Sequence, residues 1–422
     1  MYLLSHPMGN QNMRHTAVAL AEAEALAEAW TCLSFDPSGM LGSLLPKNLR
    51  TQAERRSFPL SIRRRLRSHP WREAARLACQ RFGWKKPLRH EHGWCSIDAV
   101  CHDLDRRVAA RLPRLDGLTG VYAYEDAAEE TLAAAGKLGL RRIYDLPIGY
   151  WRAFAAICGD EEQREPAWAG TLVGNLDSAE KFARKDREIA NADHIIVASS
   201  FTRATLAQYP ATLPPVSVVP YGAPEIHVGP RSWTSKGPLR VLYVGSLSQR
   251  KGVSYLLAAM GQVAAAATLT VIGSRVAPCA PLDEALKKLR YIPSLPHAGI
   301  LDEMRQHDVL VFPSLFEGFG LVITEAMSQG MTVITTPHTA GPDLITDGRD
   351  GFIVPIRDVV AISERLLLLA RDRERLTAMG RAASATARKR TWAVFHRGLQ
   401  EALGLRAPVL VAGQQTSGPP AC

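Results

Sequence analysis

At 422 residues, 46% apolar and 22% charged, the chain has the composition of a soluble globular protein and the length of about two domains. No stretch approaches the ~18 uninterrupted apolar residues of a membrane-spanning helix, and no basic region followed by an apolar core opens the sequence, which predicts a cytoplasmic rather than a secreted protein. The net charge of +10 is unevenly spread: residues 50–90 hold thirteen Lys or Arg against Glu54 and Glu73, a local +11, so the rest of the chain is close to −1. The seven cysteines (Cys32, Cys79, Cys95, Cys101, Cys158, Cys279 and Cys422) are scattered and form no C-x-x-C pair. That fits reduced thiols better than a disulfide framework or a zinc site.

Tyr2 to Ser5 reads as a first strand, broken by His6-Pro7 and Gly9-Asn10. The Ala-rich run Thr16 to Ala29 reads as a helix and Trp30 to Phe35 as a second strand. This βαβ opening lacks G-x-G-x-x-G spacing, so it carries no dinucleotide fingerprint. Residues 36–118 are rich in Pro, Gly and Arg, with one or two short basic helices over 61–89. Asp103 and Asp105 form a D-x-D pair, but in a helix-like run; residues i and i+2 of a helix diverge and would not chelate one metal. Alternation resumes with Gly120 to Tyr124 as a strand, Ala127 to Leu138 as a helix and Arg142 to Asp145 as a strand. Asp145 then stands at a strand's C-terminal end, either facing a ligand or capping the turn before Leu146-Pro147. A helix carrying Glu188 feeds a buried strand after Asp193, and Val216 to Pro220 makes another strand before Tyr221-Gly222.

Gly229-Pro230 and Gly237-Pro238 break regular structure and mark a hinge over 224–238 between a domain of residues 1–223 and a second of 239–391. From Leu239 strands and helices alternate at parallel-sheet spacing: LRVLYVGS, KGVSYLLAAMGQV, TLTVIGS, DEALKKL, YIPSL and HAGILDEMRQH. Asp308 to Gly330, DVLVFPSLFEGFGLVITEAMSQG, concentrates the chemistry. An apolar strand stops at Pro313, Glu317-Gly318-Phe319-Gly320 forms a turn, and Leu321 to Gln329 follows helical spacing up to a C-capping Gly330. A strand, a glycine turn and a helix start make an anion site, where free N–H groups and the helix dipole face the turn. Strands TVITT and GFIVP and helices over 360–370, 373–388 and 392–403 follow, the last within a returning segment of 392–406; 407–422 reads as a loose tail.

The EGFG-like turn flanked by Glu317 and Glu325, the motif VLYVGSLSQRKGV, and the segment PHTAGPDLITDGRDGFIVP together resemble the signature of the retaining glycosyltransferases of family 4. The likeness is tight from about 184 to 395 and loose before it. It implies an α/β protein of GT-B fold, with two Rossmann-like, doubly wound parallel-sheet domains facing across a cleft. The activity implied is transfer of a sugar, hexosyl in type, from a nucleotide-sugar donor to a hydroxyl acceptor such as a cell-envelope glycan, a lipid-linked sugar or a small molecule. Neither a cofactor nor a metal is implied. In this resemblance Glu317 holds hydroxyls of the donor sugar and Glu325 the nucleotide ribose. The Gly318, Phe319, Gly320 and Leu321 backbone faces the diphosphate, Lys251 and Arg250 neutralise it, and Asp145 faces the sugar. Gly9 or Asn10 of the first loop approaches the diphosphate, as do Gly245 and Ser246. Many members carry an Arg where Ser246 stands, and Arg250 is the residue available to replace that charge.

Other classes fit less of the sequence. An inactive nucleotide-sugar-binding protein of the same fold is favoured only by Ser246. A nicotinamide-dependent dehydrogenase lacks its glycine fingerprint, and a nucleic-acid binder has only the basic stretch and no recognisable motif. Residues 50–90, with Trp71, Phe82 and Trp84 among the cations, are expected either to meet an anionic membrane peripherally or to form a solvated basic face with packed aromatics.

Overall fold

The computed structural model describes residues 1–36, 56–229, 231 and 237–406. The expected tail, part of the hinge, and residues 50–55 of the basic segment lie outside them. The first sheet has seven strands: β1 (Tyr2–Ser5), β2 (Leu26–Thr31), β3 (Leu66–Ser68), β4 (Gly120–Tyr124), β5 (Arg141–Leu146), β6 (His194–Val197) and β7 (Val216–Val218). Six more, β8 (Leu239–Val244), β9 (Ala267–Ile272), β10 (Arg290–Ile292), β11 (Val309–Phe312), β12 (Thr332–Thr335) and β13 (Phe352–Ile353), make the second. The spatial orders are β3-β2-β1-β4-β5-β6-β7 and β10-β9-β8-β11-β12-β13, parallel throughout. These are two Rossmann-like, doubly wound domains. Strands such as VLVF of β11 and TVIT of β12 are buried along their whole length, because helices cover both faces of a parallel sheet.

The longer helices are α1 (Gln11–Glu22), α2 (Trp71–Phe82), α3 (Ile97–Ala109), α4 (Glu129–Lys137), α5 (Trp151–Cys158), α6 (Ala179–Ala190), α7 (Val253–Gln262), α8 (His297–Gln306), α9 (Leu321–Ser328), α10 (Val359–Arg371), α11 (Arg373–Arg388) and α12 (Trp392–Ala402). The winding direction reverses between β1 and β4 and again between β8 and β11, which opens a crevice at the strands' carboxyl ends in each domain. After the second sheet the chain returns to the first domain. Ala223 N–H donates to the Arg390 carbonyl (2.6 Å), and on α12 Gln400 Nε2 donates to the Ala19 carbonyl of α1 (2.7 Å).

Two expected elements are displaced. The first helix begins at Gln11, not Thr16, because the Asn10 side chain accepts from Met13 N–H (3.0 Å) and caps it there. It ends at Glu22, and Leu26–Thr31 is strand although LAEA, residues 26–29, reads as helix; burial against neighbours on both sides decides against propensity. The Asp103/Asp105 pair does lie on a helix, α3, and diverges. Asp103 meets His69 (3.0 Å) and Arg72 (3.4 Å), while Asp105 accepts from the Glu130 and Thr131 amides at the start of α4 (both 2.9 Å).

Candidate active site

Beyond Phe312 the chain turns at Pro313 and runs through buried Ser314, Leu315 and Phe316 to Glu317 at the mouth of the crevice. Lys251 comes from the short turn before α7, and its ammonium contacts Glu317 Oε2 directly. Arg250 adds a bond from Nη1 to the Phe316 carbonyl (2.6 Å) and a longer one to Glu317 Oε2 (3.4 Å). One carboxylate therefore gathers two cations at the start of a helix. Burial, and after it the Arg250 charge, pull the Lys251 ammonium well below its usual value; the Glu317 carboxylate in contact opposes that shift. Burial likewise lowers Arg250.

Helix α9 starts after Gly320, which is left-handed (φ +82°), and no side chain caps it. Its first amides are thus of the kind that a helix leaves without an internal partner. Glu325, one turn further, pairs with His297 Nε2 at 3.0 Å, and that hydrogen bond holds the imidazole above its usual value. His297 went unnoticed in the sequence, since it stands 28 residues away on α8 with no motif around it. Phe319 packs edge-on against Tyr221 (5.1 Å between ring centres) and is core rather than surface.

Gly318 packs closely against the first domain. A Cβ there would collide with the Pro147 carbonyl, and the Gly318 carbonyl accepts from Ser199 Oγ (2.5 Å) and Thr202 Oγ1 (3.0 Å). This close approach is to the first domain. At Gly9 the side a Cβ would occupy is filled by Phe58 and Thr31, and its carbonyl accepts from Arg14 Nε (3.0 Å). Asn10 spends its side chain on capping α1.

Asp145 lies at the C-terminal end of β5. It is 2% exposed and accepts from Tyr122 Oη at 2.5 Å; burial raises its carboxyl to about 7, against the lowering effect of the Tyr122 and Tyr124 hydroxyls. In the ligand-free structure its carboxyl is thus packed beside buried tyrosines of the first domain. Gly245 N–H is tied to the Ile272 carbonyl (3.0 Å), and the Ser246 carbonyl accepts from Tyr243 Oη (2.9 Å).

Ser246 and Arg250 line one wall of a cavity between the domains. Trp151, Phe154, Phe182 and Phe316 make much of its remaining surface, with Lys185 as the buried cation. Burial works against the Lys185 charge, but Glu125 (2.8 Å) and Asp126 (3.0 Å) outweigh it and hold the ammonium above its usual value. Beside the cavity the first domain sends Glu161 into the second. This fully buried carboxylate meets Arg357, Gln249 Nε2 (3.0 Å) and Tyr255 Oη (3.0 Å). No sequence signal marks Glu161, whose partners lie 88 to 196 residues away. Among the described residues, His90, Glu91 and Asp177 bring ligand-type atoms together, but Lys181 already pairs with Asp177 (3.0 Å).

The two-domain architecture is the GT-B fold of glycosyltransferases. The structure superposes on sucrose-phosphate synthase from Thermosynechococcus elongatus with a TM-score of 0.61 (15% identity, 96% of this chain and 98% of that one). It matches Anabaena Alr3699/HepE in complex with UDP and glucose with a TM-score of 0.62 (16% identity, 96% and 99%). In sequence, residues 238–372 match the family model described as glycosyl transferases group 1. The chain is 26% identical to a glycogen synthase of Mycobacterium tuberculosis over 251 residues, 56% of this chain and 57% of that protein. It is 32% identical to the sulfoquinovosyl transferase SQD2 of Arabidopsis thaliana over 161 residues, 36% and 30%. The matches thus span about half or less of the length of these relatives.

Proposed function

We propose that the protein is a retaining glycosyltransferase of family 4, moving a hexosyl-type sugar from a nucleotide-sugar to a hydroxyl acceptor without a divalent metal. The observation that carries this reading is the convergence of Lys251 and Arg250 on Glu317 at the start of α9. A buried and a half-buried cation beside free helix-start amides suit a diphosphate, and the carboxylate between them suits sugar hydroxyls. Glu325, oriented by His297, takes the ribose hydroxyls.

When the C1–O bond to the diphosphate breaks, Lys251, Arg250 and the α9 amides stabilise the charge developing on the departing oxygen. The acceptor oxygen bonds to C1 on the same face, and its proton passes to that departing oxygen. The aromatic cavity beside Arg250 excludes water from the exposed C1 and receives the acceptor. The name of the sulfoquinovosyl transferase SQD2 among the relatives agrees with this reading.

The test is a thermal-shift screen with UDP-, GDP-, ADP- and TDP-sugars, followed by turnover with the stabilising donor in EDTA and NMR of the product's anomeric configuration. A stabilising donor, retained configuration and activity in EDTA are expected. No stabilising donor, an inverted product, or loss of activity restored by magnesium or manganese would overturn the corresponding part. A donor that binds but never turns over would favour the inactive binding protein, the reading suggested by Ser246.

A further inference from the structure

The basic segment does not present its charge evenly. Arg56 (3.0 Å) and Arg76 (2.6 Å) pair with buried Glu73, Arg63 with Asp36 (2.8 Å), Arg67 with Glu28 (3.3 Å) and Arg72 with Asp103 (3.4 Å). Those five cations hold the first domain together. Arg81, Lys85, Lys86 and Arg89 are exposed and in no ion pair among the described residues.

Arg81 sits in the last turn of α2 and the other three follow it, and much of that helix's solvent side is apolar. On α2 the exposed Trp71, Ala74, Ala78 and Phe82 recur at i, i+3, i+7 and i+11, within about 80° of arc at 100° per residue. Trp71 is 76% exposed, Phe82 68%, Trp84 59% and Trp94 57%. Trp94 lies at the start of the helix under the Arg72 guanidinium (5.8 Å), and Trp84 at its end against Phe82 (5.5 Å). Trp71 and the Phe82–Trp84 pair thus stand roughly 16 Å apart at 1.5 Å per residue, with a small-residue stripe between them. A globular surface seldom leaves so many large rings in water without a use.

We propose that the solvent face of α2 and the following residues, 71–89 with Trp94, dock the protein on an anionic lipid surface. The rings enter the headgroup–acyl boundary, and Arg81, Lys85, Lys86 and Arg89 meet the lipid phosphates. A nucleic acid fits less well, since the centre of the face is apolar and the charge lies at one end. The face leads toward the cleft: His90 bonds to Asp177 (3.0 Å), which lines the cavity. An acceptor presented by the bilayer would then arrive beside Arg250, a step that rests on the transferase reading, whereas the docking itself does not.

Flotation with vesicles of phosphatidylcholine alone, or with added phosphatidylglycerol, reads docking without any turnover. Each basic side chain at an anionic surface contributes roughly fivefold, so Arg81, Lys85 and Lys86 together favour the anionic vesicles on the order of a hundredfold. High salt removes that preference. The variants Trp71→Ser/Phe82→Ser/Trp84→Ser and Arg81→Ser/Lys85→Ser/Lys86→Ser are each expected to lose flotation while keeping the parental circular dichroism and Tm. Failure to float with anionic vesicles, equal flotation on both lipids, unchanged flotation of both variants, or displacement by a DNA or RNA oligonucleotide would overturn the proposal.

Discussion

Glu317 stands between two cations and is assigned the donor sugar, so its substitution has two consequences. Glu317→Gln removes a charged hydrogen bond to the sugar, costing ~1.5–3 kcal/mol, and it also withdraws the carboxylate that opposes deprotonation of Lys251. Turnover should fall roughly ten- to hundredfold, and the high-pH limb of the rate profile should move to lower pH. Glu325→Gln should instead chiefly weaken donor binding, which calorimetric titration of each variant checks. Asp145 offers a pH test of a different kind. Its carboxyl titrates near 7 when buried and near 3.8 when unfolded, so the folded state binds more protons between those values. Stability from this group is full below about pH 4 and is lost as pH rises through about 7. Asp145→Asn should therefore flatten the fall in Tm over that window and leave turnover within a fewfold of parental. Glu317, Lys251 and Arg250, singled out by the sequence around two turns, do meet in the structure. Asp145 was legible as a strand-end residue, but its partner Tyr122, 23 residues away, was not. His297 and Glu161 act through partners far along the chain, and a lone His or Glu in a polar run gives no local signal.

At the scale of elements, the second domain was legible almost strand by strand, because each fully apolar strand is followed by a helix of contrasting period. The first domain was harder to read. The LAEA part of β2 contradicts its own propensity, and the start of α1 depends on Asn10, whose cap was hidden in a turn-like sequence. Glycine at the end of α9 was read correctly and gives a stability test. Gly330 has φ +75°, its N–H donates to Met327 (2.9 Å), and Met331 N–H donates to Ala326 (2.9 Å), the paired bonds of a left-handed helix terminus. The nearest neighbour of an added Cβ would be Arg231 Cδ at 3.5 Å, so the cost is conformational rather than steric. Gly330→Ala should lower stability by about 1–2 kcal/mol, and Gly330→Asn by less, as chemical denaturation will show.

At the scale of the molecule, contacts that neither domain could make alone join the two sheets. Buried Glu161 binds Arg357, Gln249 and Tyr255, while Ser200 N–H donates to Asp343 Oδ2 (2.8 Å). Removing one partner from such a buried set leaves the others without their charge balance. Glu161→Ala should loosen the domains: the radius of gyration from small-angle scattering should rise, and donor KM should rise more than kcat falls. An unchanged radius and unchanged KM would make Glu161 a local packing residue. The sequence implied two domains and a cleft, but not which side chains bridge them, because bridging depends on the relative pose of two units joined by a hinge.

That pose gives Gly318 a mechanical meaning. Its missing side chain is the clearance between two bodies, set by the Pro147 carbonyl on one side and the turn on the other. A single added methyl acts as a doorstop. Gly318→Ala would keep every group assigned to chemistry yet hold the halves ajar, so a protein that still binds nucleotide but has lost sugar transfer would show that the stroke of the hinge, and not occupancy of the cleft, commits the donor to reaction.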